Sequence, residues 1–168
     1  MRLMIRVLGC VCVCAIAASA SAQTKFAGKC SQGKPDPNYT VPVGDNASHA
    51  LVLGKAKCVW SAGEIEGIQL KEEDDTVVSD VSGNTSRDRG YGVGTAANGD
   101  KYFVRFEGTT AMKNNAPSAG KCNWTFTGGT GKFKGLTGKG TCSGTFDASG
   151  AAVFDVQGEY QIAAATKK

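Results

Sequence analysis

The residues of this chain best suited to acid–base or cation chemistry are five consecutive charged ones, Lys71-Glu72-Glu73-Asp74-Asp75, and a carboxylate pair two apart, Glu64 and Glu66. Two carboxyls on one strand face can divide acid and base roles when burial raises the pKa of one of them. Glu66 would be the pocket carboxylate of such a pair, with Ile68 next along its face. The opposite phase is favoured, with Ile65 inward and both glutamates in solvent. The 71–75 run lacks the alternating ligand spacing of a calcium loop and reads as a solvated turn between strands. His49 is the only histidine. No nucleophile or orienting partner stands near it in a known pattern, so it reads as a surface or strand-end group.

The cysteines point to a redox compartment. Arg2 and Arg6 precede an apolar run from Val7 to Ala18, and Ala20-Ser21-Ala22 is a small-residue cleavage site. That is a secretory signal over residues 1–22, too short and wrongly flanked for a membrane span. Three of the seven cysteines leave with it, and Cys30, Cys58, Cys122 and Cys142 remain. An even number in an exported chain argues for two disulfides. With no C-x-x-C pair and one histidine, neither a zinc site nor a catalytic thiol is expected. The expected location is the periplasm or the outside of the cell, and no cofactor is implied.

Cleavage lowers the formal net charge from +4 by two, to +2, which is no argument for nucleic-acid binding. Lys121, Lys132, Lys134 and Lys139 lie in or beside glycine-rich turns without interleaved aromatics, and read as solubilising. The remaining length suits one domain. No second hydrophobic segment follows, so no membrane association is expected after cleavage.

The elements that must position these groups read as β. Residues 23–47, with Pro35, Pro37 and Pro42, read as an irregular arm. From residue 48 to 168 short apolar runs separated by turn residues predict strands over 49–60, 64–71, 76–81, 89–96, 101–109, 120–127, 138–147 and 152–162. Asn98-Gly99 predicts a two-residue hairpin turn, which pairs Tyr91 with Phe106 and Val93 with Val104 and sends Gly90, Gly92 and Gly94 outward. Phe154, Val156, Tyr160 and Ile162 alternate inward. A three-residue loop around Gly150 would bring Phe146 onto the same face. Folding the 120–146 hairpin about Lys132 sets Cys122 opposite Cys142, Trp124 opposite Gly140 and Phe126 opposite Gly138. Opposed residues of an antiparallel pair lie about 4.5–5.5 Å apart at Cα, within disulfide reach. Cys122 therefore pairs with Cys142, and Cys30 with Cys58.

Gly128-Gly129-Thr130-Gly131-Lys132-Phe133, followed by Gly135 and Gly138, resembles the signature of allene oxide cyclase and dirigent-type barrels. The stretch from Gly140 to Phe146, and on through Asp155 to Tyr160, is similar to the C-terminal end of small exported bacterial proteins. The resemblance implies an all-β fold, a single eight-stranded antiparallel up-and-down barrel. It implies no catalytic residue, because no motif on the other strands matches the acting residues of those enzymes. The glycines carry over as turn formers only. Gly-Gly-Thr-Gly-Lys lacks the ending and the following helix of a phosphate loop.

Such a barrel is just wide enough to be filled by side chains or to hold one small ligand. Trp60, Tyr91, Tyr102, Phe106, Trp124 and Tyr160 are the expected interior binding residues. The first reading is a non-enzymatic barrel for a small apolar or amphipathic ligand. The alternatives are a filled barrel acting through its surface as an interaction or inhibitor module, and a cyclase- or isomerase-like enzyme.

Overall fold

The computed structural model describes residues 23–163. The signal segment expected over 1–22 lies outside the described residues. Ten strands follow one another: β1 Thr24–Gln32, β2 Asn38–Pro42, β3 His49–Ala62, β4 Glu64–Ile65, β5 Ile68–Ser82, β6 Thr85–Ala96, β7 Lys101–Lys113, β8 Ala116–Gly129, β9 Leu136–Phe146 and β10 Ala152–Ile162. Each of β5 to β9 pairs antiparallel with the next. β1 pairs with β10 on one side and β3 on the other, and β3 pairs with β5. The result is a closed eight-stranded up-and-down barrel, with β2 and β4 as additions at its two ends. Closure leaves no free edge along most of its length. Among the described residues no helix is long and apolar enough to cross a membrane.

Two expectations about the strands fail: residues 23–47 are not wholly an irregular arm, and 64–71 and 76–81 are not two separate barrel strands. Phe26 and Cys30 of the supposed arm are buried, and Thr24–Gln32 pairs with β10 along its whole length. The prolines begin only at Pro35, after this strand has ended. They shape the passage to β2, which continues the wall by pairing with the upper part of β3. The segments expected over 64–71 and 76–81 belong to a tiny strand and one long one, because the 71–75 run is the middle of β5 and not a turn. Five charges fit in a strand because they divide between its faces. Outward, Glu72 and Asp74 meet Lys57 of β3 at 3.0 and 3.3 Å. Inward go Glu73 and Asp75.

The hairpin at Asn98 carries the second correction. Ala96 N–H donates to Asp100 O at 2.9 Å, so the loop holds three residues, Ala97 to Gly99, with Gly99 at φ 84°. That is the three-residue alternative to the two-residue turn. It moves the register by one: Gly94 opposes Tyr102, Gly92 opposes Val104 and Gly90 opposes Phe106. The three glycines face inward, and Tyr91 is turned out, 67% exposed.

The other derived registers hold. Cys122 opposes Cys142, Trp124 opposes Gly140 and Phe126 opposes Gly138. Disulfides join Cys122 to Cys142 and Cys30 to Cys58. Asp147 N–H donates to Ala151 O, which closes a three-residue loop at Gly150 and sets Phe146 against Phe154, with ring centroids 5.8 Å apart. The glycine signature ends in a single 3-10 turn, Gly131–Phe133. Its Lys132 N–H donates to the Asp100 carboxylate at 2.9 Å, and Thr130 Oγ1 accepts from Lys101 N–H at 2.8 Å. The backbone donor that a phosphate would need is thus held by the chain's own carboxylate. This docking buries Phe133 and Leu136 completely, and they stop one end of the barrel.

Candidate functional site: a half-open barrel interior with a buried carboxylate pair

The interior has a filled half and an open half. In the filled half Ile65, Phe133 and Leu136 form the stopper, and Phe26, Tyr102, Phe126 and Tyr160 pack above it. Phe26 meets Trp124 and Phe126 edge to face with centroids 5.5 and 5.8 Å apart, a favoured aromatic geometry. Tyr160 OH accepts the Glu66 backbone N–H at 2.9 Å, and Tyr102 OH accepts Trp60 Nε1–H at 2.8 Å. Both tyrosines are thus structural members of the floor. Beyond them lies a cavity of about 530 Å³, bounded by Ala50, Val52, Val77, Val81, Phe106 and Phe154 among others. Its mouth is made by Lys34 and Pro35 after β1, Asn115 and Pro117 of the β7–β8 hairpin, and Gly150. This volume falls within the usual range of small-molecule sites. A larger concavity of about 1270 Å³ is bounded largely by outward-facing residues such as Arg87, Glu107 and Gln157, and holds no aromatic side chain.

The expected interior residues divide accordingly. Trp60, Phe106 and Trp124 line the cavity. Tyr102 and Tyr160 sit below it, and Tyr91 is outside because of the one-residue register difference. Glu64 and Glu66 are exposed while Ile65 is fully buried. Glu66 occupies a turn at φ 52° and is no pocket carboxylate. His49 stands at the start of β3 with Nδ1 2.7 Å from Asp45 and Nε2 3.0 Å from Asp80. The hydrogen bond to Asp45, followed by that to Asp80, raises its pKa above the ordinary histidine value. It anchors a strand end outside the cavity.

The groups that the expected list lacks are Glu73 and Asp75, 8% and 5% exposed. Their inward position depends on an irregularity at Lys71, where the β5–β6 register slips between Leu70 and Glu72. Such a bulge exchanges the faces of every residue beyond it; without it Glu72 and Asp74 would point in. The two inward carboxyls converge over Gly92. A Cβ on that glycine would stand 2.6 Å from Asp75 Oδ1 and 2.7 Å from Glu73 Oε1, so only glycine leaves them room. Gln32 Nε2 donates to Asp75 Oδ2 at 3.3 Å. Asp75 Oδ1 receives no hydrogen bond from any neighbour. A third inward acid, Asp88, is satisfied by the hydroxyls of Ser86 at 2.6 Å and Thr110 at 2.7 Å.

Burial, and then the charge of Glu73, pushes Asp75 well above the usual carboxylate range. Burial raises Glu73 as well, against an opposing hydrogen bond from Tyr102. Burial followed by the Glu73 charge raises Tyr102, keeping its hydroxyl protonated. The pair therefore retains protons that free carboxyls would release. In the unfolded chain these groups ionise near pH 4. Their contribution to stability is full below that pH and is lost as pH rises through the higher folded values. Asp75→Asn keeps the shape and supplies an amide that can donate to Glu73. It should gain about 1–2 kcal/mol at pH 7 relative to wild type and almost nothing at pH 4. Denaturant unfolding of both proteins at the two pH values checks this. The comparison cancels the slope from His49, which both chains share.

No protein-family model and no curated protein matches the chain.

Proposed function

We propose that this protein is an exported, non-enzymatic barrel that binds one small apolar or amphipathic molecule in the open half of its interior. The observation that carries this is the cavity of about 530 Å³ with aliphatic and aromatic walls and a mouth at one end. A barrel acting only through its surface gains nothing from leaving that half unfilled, since empty apolar space sacrifices packing. Export is supported by the two disulfides and by the signal-like residues 1–22. Polarity agrees with water outside the wall. Outward Lys29 meets Asp155 at 3.1 Å, and Lys57 meets Glu72, whereas a lipid-facing barrel presents an apolar band. The glycine turn's resemblance to allene oxide cyclase barrels, and the buried Glu73–Asp75 pair, favour a cyclase- or isomerase-like enzyme as the second reading.

The test is native mass spectrometry of protein purified from the exported fraction of its own cells. The expected spectrum shows a chain beginning at Gln23, two disulfides and an additional mass that disappears on denaturation. A bare mass, together with failure to take up any hydrophobic probe, would sink the binding reading. Turnover of a bound compound that stops in Glu73→Gln would favour the enzyme.

A further inference from the structure

We infer that the cavity selects a molecule with an apolar body and a cationic nitrogen head, an alkyl- or arylalkyl-ammonium, seated between Asp75 Oδ1 and Glu73 Oε1. This rests on the binding reading and adds the chemical class of the ligand.

Three observations converge. The first is an acceptor with no donor outside the pair: Asp75 is 5% exposed, and its buried Oδ1 has no hydrogen-bond partner on any other residue, so only a proton held by the pair itself can serve it. Such an atom is costly unless something supplies a proton to it. The second is charge. Glu73, Asp75 and Asp88 all point into the interior, while every lysine and arginine among the described residues is exposed. Lys57, the basic residue nearest in register, is engaged outside the wall. The third is the wall: Trp60, Trp124 and Phe106 bound the same space, and aromatic faces attract a desolvated cation.

A bare metal ion fits less well. No group of three or more His, Cys, Asp or Glu among the described residues is placed to hold one, and hard divalent ions take six or more oxygen ligands. An anion would meet three inward acids and no buried cation. A neutral hydroxyl has one proton to donate and can serve only one carboxyl of the pair, whereas an ammonium carries up to three and can serve both once the shared proton has left.

The protonation balance follows from the surroundings of the pair. Tyr102 from β7 and Asp88 from β6 are its titratable neighbours inside, and Asp74 lies on the outer face of the same strand. Gln32 from β1 and Trp60 from β3 are uncharged. With no ligand bound the two carboxyls keep a shared proton. The ammonium takes the place of that proton, which leaves to water, so binding is linked to proton release. Affinity therefore rises with pH, by up to about tenfold per unit for one proton, until the pair would ionise unaided.

The experiment uses three probes with one body: 4-phenylbutylamine, 4-phenylbutan-1-ol and 4-phenylbutyrate. Each is titrated calorimetrically into the disulfide-intact protein and into Asp75→Asn. The expected result is that the amine binds wild type at least tenfold more tightly than the alcohol. That preference should grow from pH 5.5 to pH 7.5 and vanish in Asp75→Asn, which still binds the alcohol. Equal binding of amine and alcohol, or tighter binding of the carboxylate, would overturn the head-group assignment and leave the binding barrel standing. Failure of all three probes, with no molecule retained in the native spectrum, would overturn both.

Discussion

Gly94→Ala is expected to destabilise the protein by about 2–3 kcal/mol, the upper range for forcing one extra carbon into a packed interior. The added Cβ would fall on the ring and hydroxyl of Tyr102, which is fully buried and bonded to Trp60. It has nowhere to retreat among Phe126 and the stopper. The cause is the side chain of one residue, so the loss should be conditional. In a Tyr102→Leu background, where the outer half of the ring is gone, Gly94→Ala should cost less than about 0.5 kcal/mol. The coupling energy would then be near 2 kcal/mol, as expected for residues in direct contact. Denaturant unfolding of the four proteins supplies the cycle. An outward Gly94, as the two-residue turn required, gives the opposite sign: alanine would then stabilise by about 0.5–1 kcal/mol through lost backbone freedom. The experiment thus tests the register, and with it the placement of the carboxylates that Gly92 and Gly94 face.

That register shows where the sequence was readable and where it was not. In β10 and β8 the inward residues include large apolar ones, so side-chain alternation fixes the phase of those strands. Centring the β8–β9 hairpin on Lys132 then sets Cys122, Trp124 and Phe126 against Cys142, Gly140 and Gly138, as observed. At Asn98-Gly99 the phase rested on loop length. Two-residue and three-residue loops both accept a glycine with positive φ, and one residue of difference exchanges the faces. Tyr91 and Val93 look like core residues by type, yet they lie outside because the opposing faces of β6 and β7 are not symmetrical. On β7 the inward side holds Tyr102, Val104 and Phe106, and β6 answers with glycines to make space.

The carboxylate pair was hidden for a related reason. Five adjacent charges have the composition of a turn, and only the bulge at Lys71 decides which of them face the interior. The available signal was spacing across strands: Glu73, Asp75 and Val77 fall opposite Gly94, Gly92 and Gly90. That pattern becomes visible only once the β6 glycines are known to point in. β1 is masked in the sequence by the prolines that follow it from Pro35, although Phe26 and Cys30 share one strand face.

Replacing Cys30 and Cys58 together by alanine is expected to cost about 3–4 kcal/mol and to open the barrel at one seam. The two residues are separated by 28 positions, and the loop-entropy relation gives a value in this range for a closed loop of that length. The Cys122–Cys142 bridge, with a separation of 20, should be worth nearly as much by the same relation. What distinguishes them is the ladder beside each. Cys122 and Cys142 lie within a continuous β8–β9 hairpin, whose strands stay paired without the bond. β1 touches β3 only through Lys29 to Gln32, with a register shift after Lys29, before β2 takes over that wall. Closure at this seam leans on the disulfide, while β1 keeps its long ladder to β10. Hydrogen exchange should therefore separate two doubly substituted proteins of similar overall stability. Loss of Cys30–Cys58 should expose, below the global unfolding energy, those amides of Lys29 to Gln32 and of Cys58 to Ala62 that point across the β1–β3 seam, whereas loss of Cys122–Cys142 should leave exchange in β8 and β9 tied to global unfolding. Gln32 and Cys30 border the cavity, and Gln32 is the neutral donor to Asp75. The open seam should therefore also weaken ligand retention, which the second variant should preserve. Equal protection of β1 in both variants would mean that the short β1–β3 ladder holds the barrel closed unaided.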